Sequence, residues 1–284
     1  MQTAVTQPLA VRWRARAQPF QDAVFVAGHF GEWLQGRLGR DGPVALVTLA
    51  CPVRGVRAAV ARDPALVVEG GAGLLTPERC ARLLAALDLP AQGRVLLRAD
   101  LPPGGGAGMS TAALVAVARA AGAAEQGIAQ ACHAVEGATD PLMRDAPDAV
   151  LWAPRRAAPL RALPRPPAAE VVGGLFGPPQ WTDPSDADFP DISDLVARWA
   201  AGGTLARLAR LAMASAERTT ALRGPADDPT PALAARLGAL GHARAHTGPA
   251  RALIFPPGAV PPGAEAALAA AGFAHVLRFR TGGP

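Results

Sequence analysis

The stretch Asp100-Leu101-Pro102-Pro103-Gly104-Gly105-Gly106-Ala107-Gly108-Met109-Ser110-Thr111 carries more chemistry than any other in this 284-residue sequence. Four of the five residues from 104 to 108 are glycine. Each costs about 0.5–1 kcal/mol more backbone entropy to order than alanine, so the run costs on the order of a few kcal/mol against a folding margin of about 5–15 kcal/mol. Such a loop lets main-chain amides approach a ligand with no side chain in between. If a helix follows, its unpaired first amides and the positive end of its dipole favour an anion. A polyphosphate is the obvious one. Ser110, at the start of that helix, can cap it or offer its hydroxyl to Mg²⁺. The plain alternative is a tight strand-to-helix turn in a chain that holds 31 glycines. The run is not a dinucleotide fingerprint. A GxGxxG register begun at Gly104 meets Met109, and one begun at Gly106 meets Thr111.

Other chemistries are excluded or weakened by composition. All 28 basic residues are arginine, and lysine, asparagine and tyrosine are absent, a bias of the kind a GC-rich coding sequence produces. Without lysine there is no Walker A loop, no protein-kinase strand lysine and no Schiff-base chemistry. The arginines are scattered, not clustered with aromatic residues, which argues against a nucleic-acid partner. Cys51, Cys80 and Cys132 are too few and too far apart for a disulfide framework or a zinc site, and read as buried thiols. His242 and His246 lie four apart, a metal spacing on a helix, but their segment reads as a strand and lacks a third ligand. The five tryptophans are spread out and read mostly as core. No stretch approaches the roughly 20 apolar residues of a membrane span, and residues 1–20, with Arg12, Arg14 and Arg16, hold no secretory apolar block. The expected setting is cytoplasmic, with no membrane partner.

The elements that must position these residues follow from periodicity. Runs 23–27, 44–51, 56–61, 66–69 and 95–99 are rich in Val and Leu and predict strands. Segment 77–87, with Pro at its first turn, predicts a helix, as do 109–121, apolar on nearly every side, and 126–135. A Pro/Arg/Ala connector at 153–167 divides the chain into residues 1–160 and 161–284. Beyond it the pattern predicts a strand at 171–176, a Pro- and Asp-rich loop to 190, and helices at 192–201, 205–222 and 232–240. Strands at 242–246 and 250–255, a helix at 265–271 and a strand at 275–280 complete it. The class is α+β, with a sheet covered by helices in each part.

Pro, a Gly-rich loop, Ser-Thr-Ala and a buried helix, in that order, resemble the phosphate-binding motif of the GHMP kinases, the galactokinase, homoserine kinase and mevalonate kinase superfamily. Three further segments agree in order. Residues 24–36, containing His29-Phe30-Gly31-Glu32-Trp33-Leu34-Gln35-Gly36, resemble the N-terminal substrate-side motif. Their Gly-Glu-x-x-Gln-Gly form resembles the bacterial L-threonine kinase branch of cobalamin biosynthesis. Glu136-Gly137-Ala138-Thr139-Asp140 resembles the segment with the metal-binding glutamate, and 241–255, with His246-Thr247-Gly248, resembles the C-terminal motif. Met109 departs from the pattern, standing where relatives carry the first of two serines.

The resemblance implies the two-domain GHMP kinase fold, with a ribosomal protein S5 domain 2-like N-terminal domain that binds ATP and a ferredoxin-like C-terminal domain. ATP would lie against Pro103, Gly104, Gly105, Gly106, Ala107, Gly108, Met109, Ser110 and Thr111. Mg²⁺ would be held by Ser110 and Glu136. Asp140 would orient or deprotonate the acceptor hydroxyl; some relatives pair such an aspartate with a lysine, and here Arg144 is the substitute charge. An amino-acid acceptor would bring an ammonium for Glu32 and a carboxylate for an arginine or the loop amides, with His29, Gln35 and His246 near the substrate. The expected partners are ATP and a small hydroxylated metabolite, L-threonine first among them, and a homodimer is left open. Two other readings stand beside this one: a kinase for another small hydroxy-amine or hydroxy-acid, and a regulatory protein that keeps the nucleotide fold without transferring phosphate.

Overall fold

Val24–Arg37 (β1) and Val44–Ala61 (β2) form a long antiparallel hairpin at the centre of a computed structural model that describes residues 23–283. Trp13 and the arginines at 12, 14 and 16 lie outside the described residues. β2 pairs on its other edge with Gly93–Ala99 (β4), which pairs in parallel with Leu66–Gly70 (β3). The second part of the chain adds Ala169–Leu175 (β7), Gly241–Arg244 (β8), Ala250–Phe255 (β9) and Ala274–Thr281 (β10). The strand order is β10-β7-β9-β8-β1-β2-β4-β3, so the sheets of the two parts are continuous through the single β1–β8 pairing of Glu32 with Arg244. Val150–Ala153 (β5) pairs with β2 and with Ala158–Ala162 (β6).

Among the described residues, seven α-helices accompany this sheet: Pro77–Ala86 (α1), Met109–Ala120 (α2), Glu125–Glu136 (α3), Ser193–Ala200 (α4), Leu205–Arg223 (α5), Thr230–Leu237 (α6) and Ala264–Ala270 (α7). α2 forms where no polar side chain interrupts the run from Ala112 to Ala118, and all seven of those residues are buried. It packs on β1 and β2. Leu114, Val115 and Val117 are fully buried, which contributes roughly 1.5–3 kcal/mol for each side chain. α1 begins at Thr76, whose hydroxyl accepts from the Arg79 amide, with Pro77 in the first turn. α5 packs on both β1 and β8 and so also joins the two parts.

β1 departs most from its expected course. It was expected to end at 27; it continues to Arg37, with register shifts at 27/28, between 29 and 32, and between 32 and 34. In a regular strand, residues three apart point to opposite faces. An irregularity re-aims them, and here it turns His29 and Glu32 towards each other. Gly31 sits in the shift with φ +85°, and a Cβ there would lie 2.9 Å from the Arg244 backbone. The runs at 44–51 and 56–61 are one strand, and the expected connector at 153–167 contains β6. The three cysteines are buried and free. Trp33 and Trp199 pack together in the core at 5.5 Å. Among the described residues, no helix is long and apolar enough to cross a membrane.

Candidate active site

The glycine loop forms one wall of a cavity of about 380 Å³ that reaches His29, Glu32, Glu136, Asp140 and His246. Gly104, Gly106 and Gly108 all have φ near +70°. At Gly108 a Cβ would fall 2.4 Å from the His29 ring and 2.9 Å from Leu142, so only glycine fits. The loop is fastened by its carbonyls: Gly104 O accepts from Gln180 N (2.9 Å), Gly105 O from Ala250 N (3.0 Å) and Ala107 O from His29 N (3.1 Å). Among the described residues, none of the amides from 104 to 111 donates to a protein acceptor. Bound carbonyls and free amides at the N-terminus of a buried helix make an anion cradle.

At the head of α2, Ser110 Oγ donates to Glu136 Oε1 in a close contact, and Thr111 Oγ1 donates to Glu136 Oε2 at 3.4 Å. Glu136 is the last residue of α3, which ends in left-handed Gly137. Burial raises the Glu136 pKa, opposed by the Ser110 hydroxyl and Arg79. A hydroxyl and a carboxylate converging beside an anion cradle suit a hard cation such as Mg²⁺. Arg79 is also here: its Nη2 lies 2.5 Å from Glu136 Oε1 and 3.3 Å from Ser110 Oγ. No motif or spacing pointed to this residue. The available signal was the absence of lysine, which leaves arginine as the permanent cation of any phosphate site.

At the other end, His29 lies between two carboxylates, with Nδ1 3.4 Å from Glu32 Oε1 and Nε2 3.3 Å from Asp140 Oδ2. The three side chains are close enough to suggest a metal site. However, the imidazole faces each carboxylate with a different nitrogen, Nε2 hydrogen-bonded to Asp140 and Nδ1 ion-paired with Glu32, which suits an imidazolium between two carboxylates and not one ring binding one ion. Burial works against charge on His29, but Glu32 and then Asp140 outweigh it and push its pKa up to about 9. Burial raises Glu32 to about 8, with His29 opposing. For Asp140, burial is overcome by the His29 charge and hydrogen bond, and its pKa is lowered. Asp140 is held by its neighbour Thr139, whose carbonyl accepts from Trp152 Nε1 (2.6 Å) and whose amide donates to Pro154 O (3.0 Å). β5 therefore positions this segment, a role its sequence did not reveal. Both Glu32 oxygens are buried without a hydrogen-bond partner.

Of the remaining expected residues, His246 lines the cavity and stacks on Phe189 at 4.1 Å; burial pushes its pKa down to about 3. It lies just past β8, while His242 is within the strand and does not line the cavity. Gln35 is buried, with Nε2 donating to Arg244 O (2.8 Å) and its amide to Ser215 Oγ (2.9 Å). It ties β1 to β8 and α5 and does not line the cavity. Arg144 is exposed and also outside it. The cation beside Asp140 is His29. Pro103 is half-buried at the loop's start, and Met109 is buried and presents no hydroxyl to the cavity. Arg155 lines the cavity, and Trp181, 66% exposed, stands at its edge.

No family model and no curated protein matches the sequence. Solved structures do match. Mevalonate kinase from Methanococcus jannaschii superposes with a TM-score of 0.59 at 11% identity, over 92% of this chain and 98% of that one. Homoserine kinase from Cytophaga hutchinsonii gives 0.54 at 15%, over 98% and 97%. A phosphotransferase related to the CoA biosynthesis pathway gives 0.60 at 16%, over 92% and 95%. The chain has the two-domain α+β fold of the GHMP kinases.

Proposed function

We propose that this protein is an ATP- and Mg²⁺-dependent kinase that phosphorylates the hydroxyl of a small ammonium-bearing metabolite, with L-threonine as the leading acceptor. The single observation that carries the reading is one cavity with a bare-amide loop beside the Ser110–Glu136 oxygens at one end and Asp140, His29 and Glu32 at the other. The superpositions on small-molecule kinases supply the fold in which such a cavity transfers phosphate. Within this reading, residues 1–160 are the ATP-binding part, and 161–284 close the cavity with His246 and Thr247.

Phosphoryl transfer asks for positioning and charge neutralisation more than for covalent help. The amides from 104 to 110 and the N-terminus of α2 bind the polyphosphate. Ser110 and Glu136 would hold Mg²⁺, which neutralises charge on the phosphate oxygens when bound. Asp140 accepts a hydrogen bond from the acceptor hydroxyl. Its lowered pKa makes it a weak base, so it orients the hydroxyl first and takes its proton only as the new P–O bond forms. His29 keeps Asp140 ionised. An ammonium would donate to the Glu32 oxygens, which face His29 as an ion pair but accept no hydrogen bond of their own, and Arg155, which lines the cavity, would meet the acceptor's carboxylate.

The test is ADP release from MgATP with L-threonine, L-serine, homoserine and ethanolamine in turn. Turnover with threonine that Ser110→Ala abolishes is the expected result. ATP binding without turnover on any acceptor would favour the regulatory reading, for which Met109 in the loop is the observation.

A further inference from the structure

Arg79 is the cation closest to the pair of oxygens assigned to the metal. Nη2 reaches Glu136 Oε1 at 2.5 Å and Ser110 Oγ at 3.3 Å, while Nη1 is pinned to Leu74 O at 2.7 Å. Its side chain is 29% exposed against 11% for Glu136, and both residues line the cavity. An octahedral Mg²⁺ would sit about 2.0–2.1 Å from each of those oxygens, which is the space the guanidinium end fills. Two cations cannot share it.

Among the described residues Glu136 is the one carboxylate in ion-pair contact with Arg79, whose other partners are Leu74 O and Ser110 Oγ. The nearest strong acceptors would be the oxygens of an anion lying on the loop amides of the same cavity. A planar guanidinium matches phosphate oxygens well, and no lysine exists anywhere in the chain to do this work. We propose that Arg79 is a resident cation that changes partners, bonding Glu136 and Ser110 as in this structure and passing to the polyphosphate when a divalent ion takes those oxygens. This rests on the kinase reading above and adds to it a residue with two opposite effects.

The opposition supplies the test. Mn²⁺ binding to the nucleotide-free protein is followed by the loss of its free-ion paramagnetic signal, and MgATP binding by calorimetry, for wild type, Arg79→Gln, Arg79→Met and Arg79→Lys. Either neutral variant should bind Mn²⁺ tighter and MgATP weaker, each by at least about tenfold, as expected when one member of a hydrogen-bonded charge pair is removed. Arg79→Lys, which keeps the charge, should stay within about threefold of wild type for Mn²⁺. A general loss of structure would weaken both ligands together. A folded neutral variant that binds Mn²⁺ no tighter than wild type, or MgATP no weaker, overturns the proposal and leaves the kinase reading standing. Wild-type protein that binds no MgATP overturns both.

Discussion

The two ends of the cavity are built by different means. The end proposed for phosphate is mostly main chain: free amides, a helix start, and a serine at the head of α2 bonded to the half-buried glutamate that ends α3. The acceptor end is side chains from separate places, with His29 and Glu32 on an irregular strand and Asp140 on a loop braced by β5. Main-chain chemistry needs particular residues at adjacent positions, and side-chain chemistry needs particular distances between remote ones. The first end should therefore tolerate substitution poorly in its backbone and the second in its charges.

Asp140→Asn should sharpen that contrast most. It removes the hydroxyl-orienting charge and leaves the loop intact, so kcat should fall about 10²–10⁴-fold while the KM for ATP holds. Steady-state kinetics decide, and an equal rise in the ATP KM would show that the ends are not separable. Gly108→Ala should do the opposite. Forcing a Cβ at φ +69° against the His29 ring costs on the order of 1–3 kcal/mol, read as a lowered melting temperature and weaker ATP binding. Glu32→Gln keeps shape and, in assays above pH 8, removes the charge that Glu32 carries there. The KM for an amine-bearing acceptor should rise about tenfold or more, while the ATP KM is unchanged.

The smallest effect is in pH. His29 is raised from 6.5 to about 9, so the stability it contributes is present below pH 6.5 and lost as pH rises through 9. Glu32, also raised, slopes the same way. His246, depressed to about 3, slopes oppositely: the stability of keeping it neutral is present above 6.5 and lost as pH falls below that. The melting temperature should decline from pH 6.5 to 9, and His29→Gln should make that decline shallower, because one of the two groups that drive it is gone.

This division also governs what could be read in advance. The loop, the buried helix after it and most strands were legible because glycine, alanine and β-branched residues act locally, within a turn or a pleat. Ser110, Glu136, Asp140, Glu32 and His246 were found through ordered motifs, and all line the cavity. Gln35 shares such a motif but faces elsewhere, since a motif fixes chain position and not side-chain direction, and Arg144, suggested only by its charge near Asp140, also lies outside the cavity. The irregularity in β1 depends on how that strand meets β2 and β8 at once, a tertiary condition with no local signature beyond Gly31. Arg79 was illegible for the same reason: its partners are 31 and 57 residues away.

One backbone contact joins the two ends, the 3.1 Å bond from the His29 amide to the Ala107 carbonyl. It works as a ruler. On the proposed reading it fixes the distance from the loop, where a phosphate would lie, to the strand that carries His29 and Glu32, while Asp140 is held to both by bonds with His29 Nε2 and Thr111 Oγ1. Selection for acceptors of other lengths would then act on the floor of the cavity, by deepening or filling it, because the reacting atoms' spacing is already built into the frame.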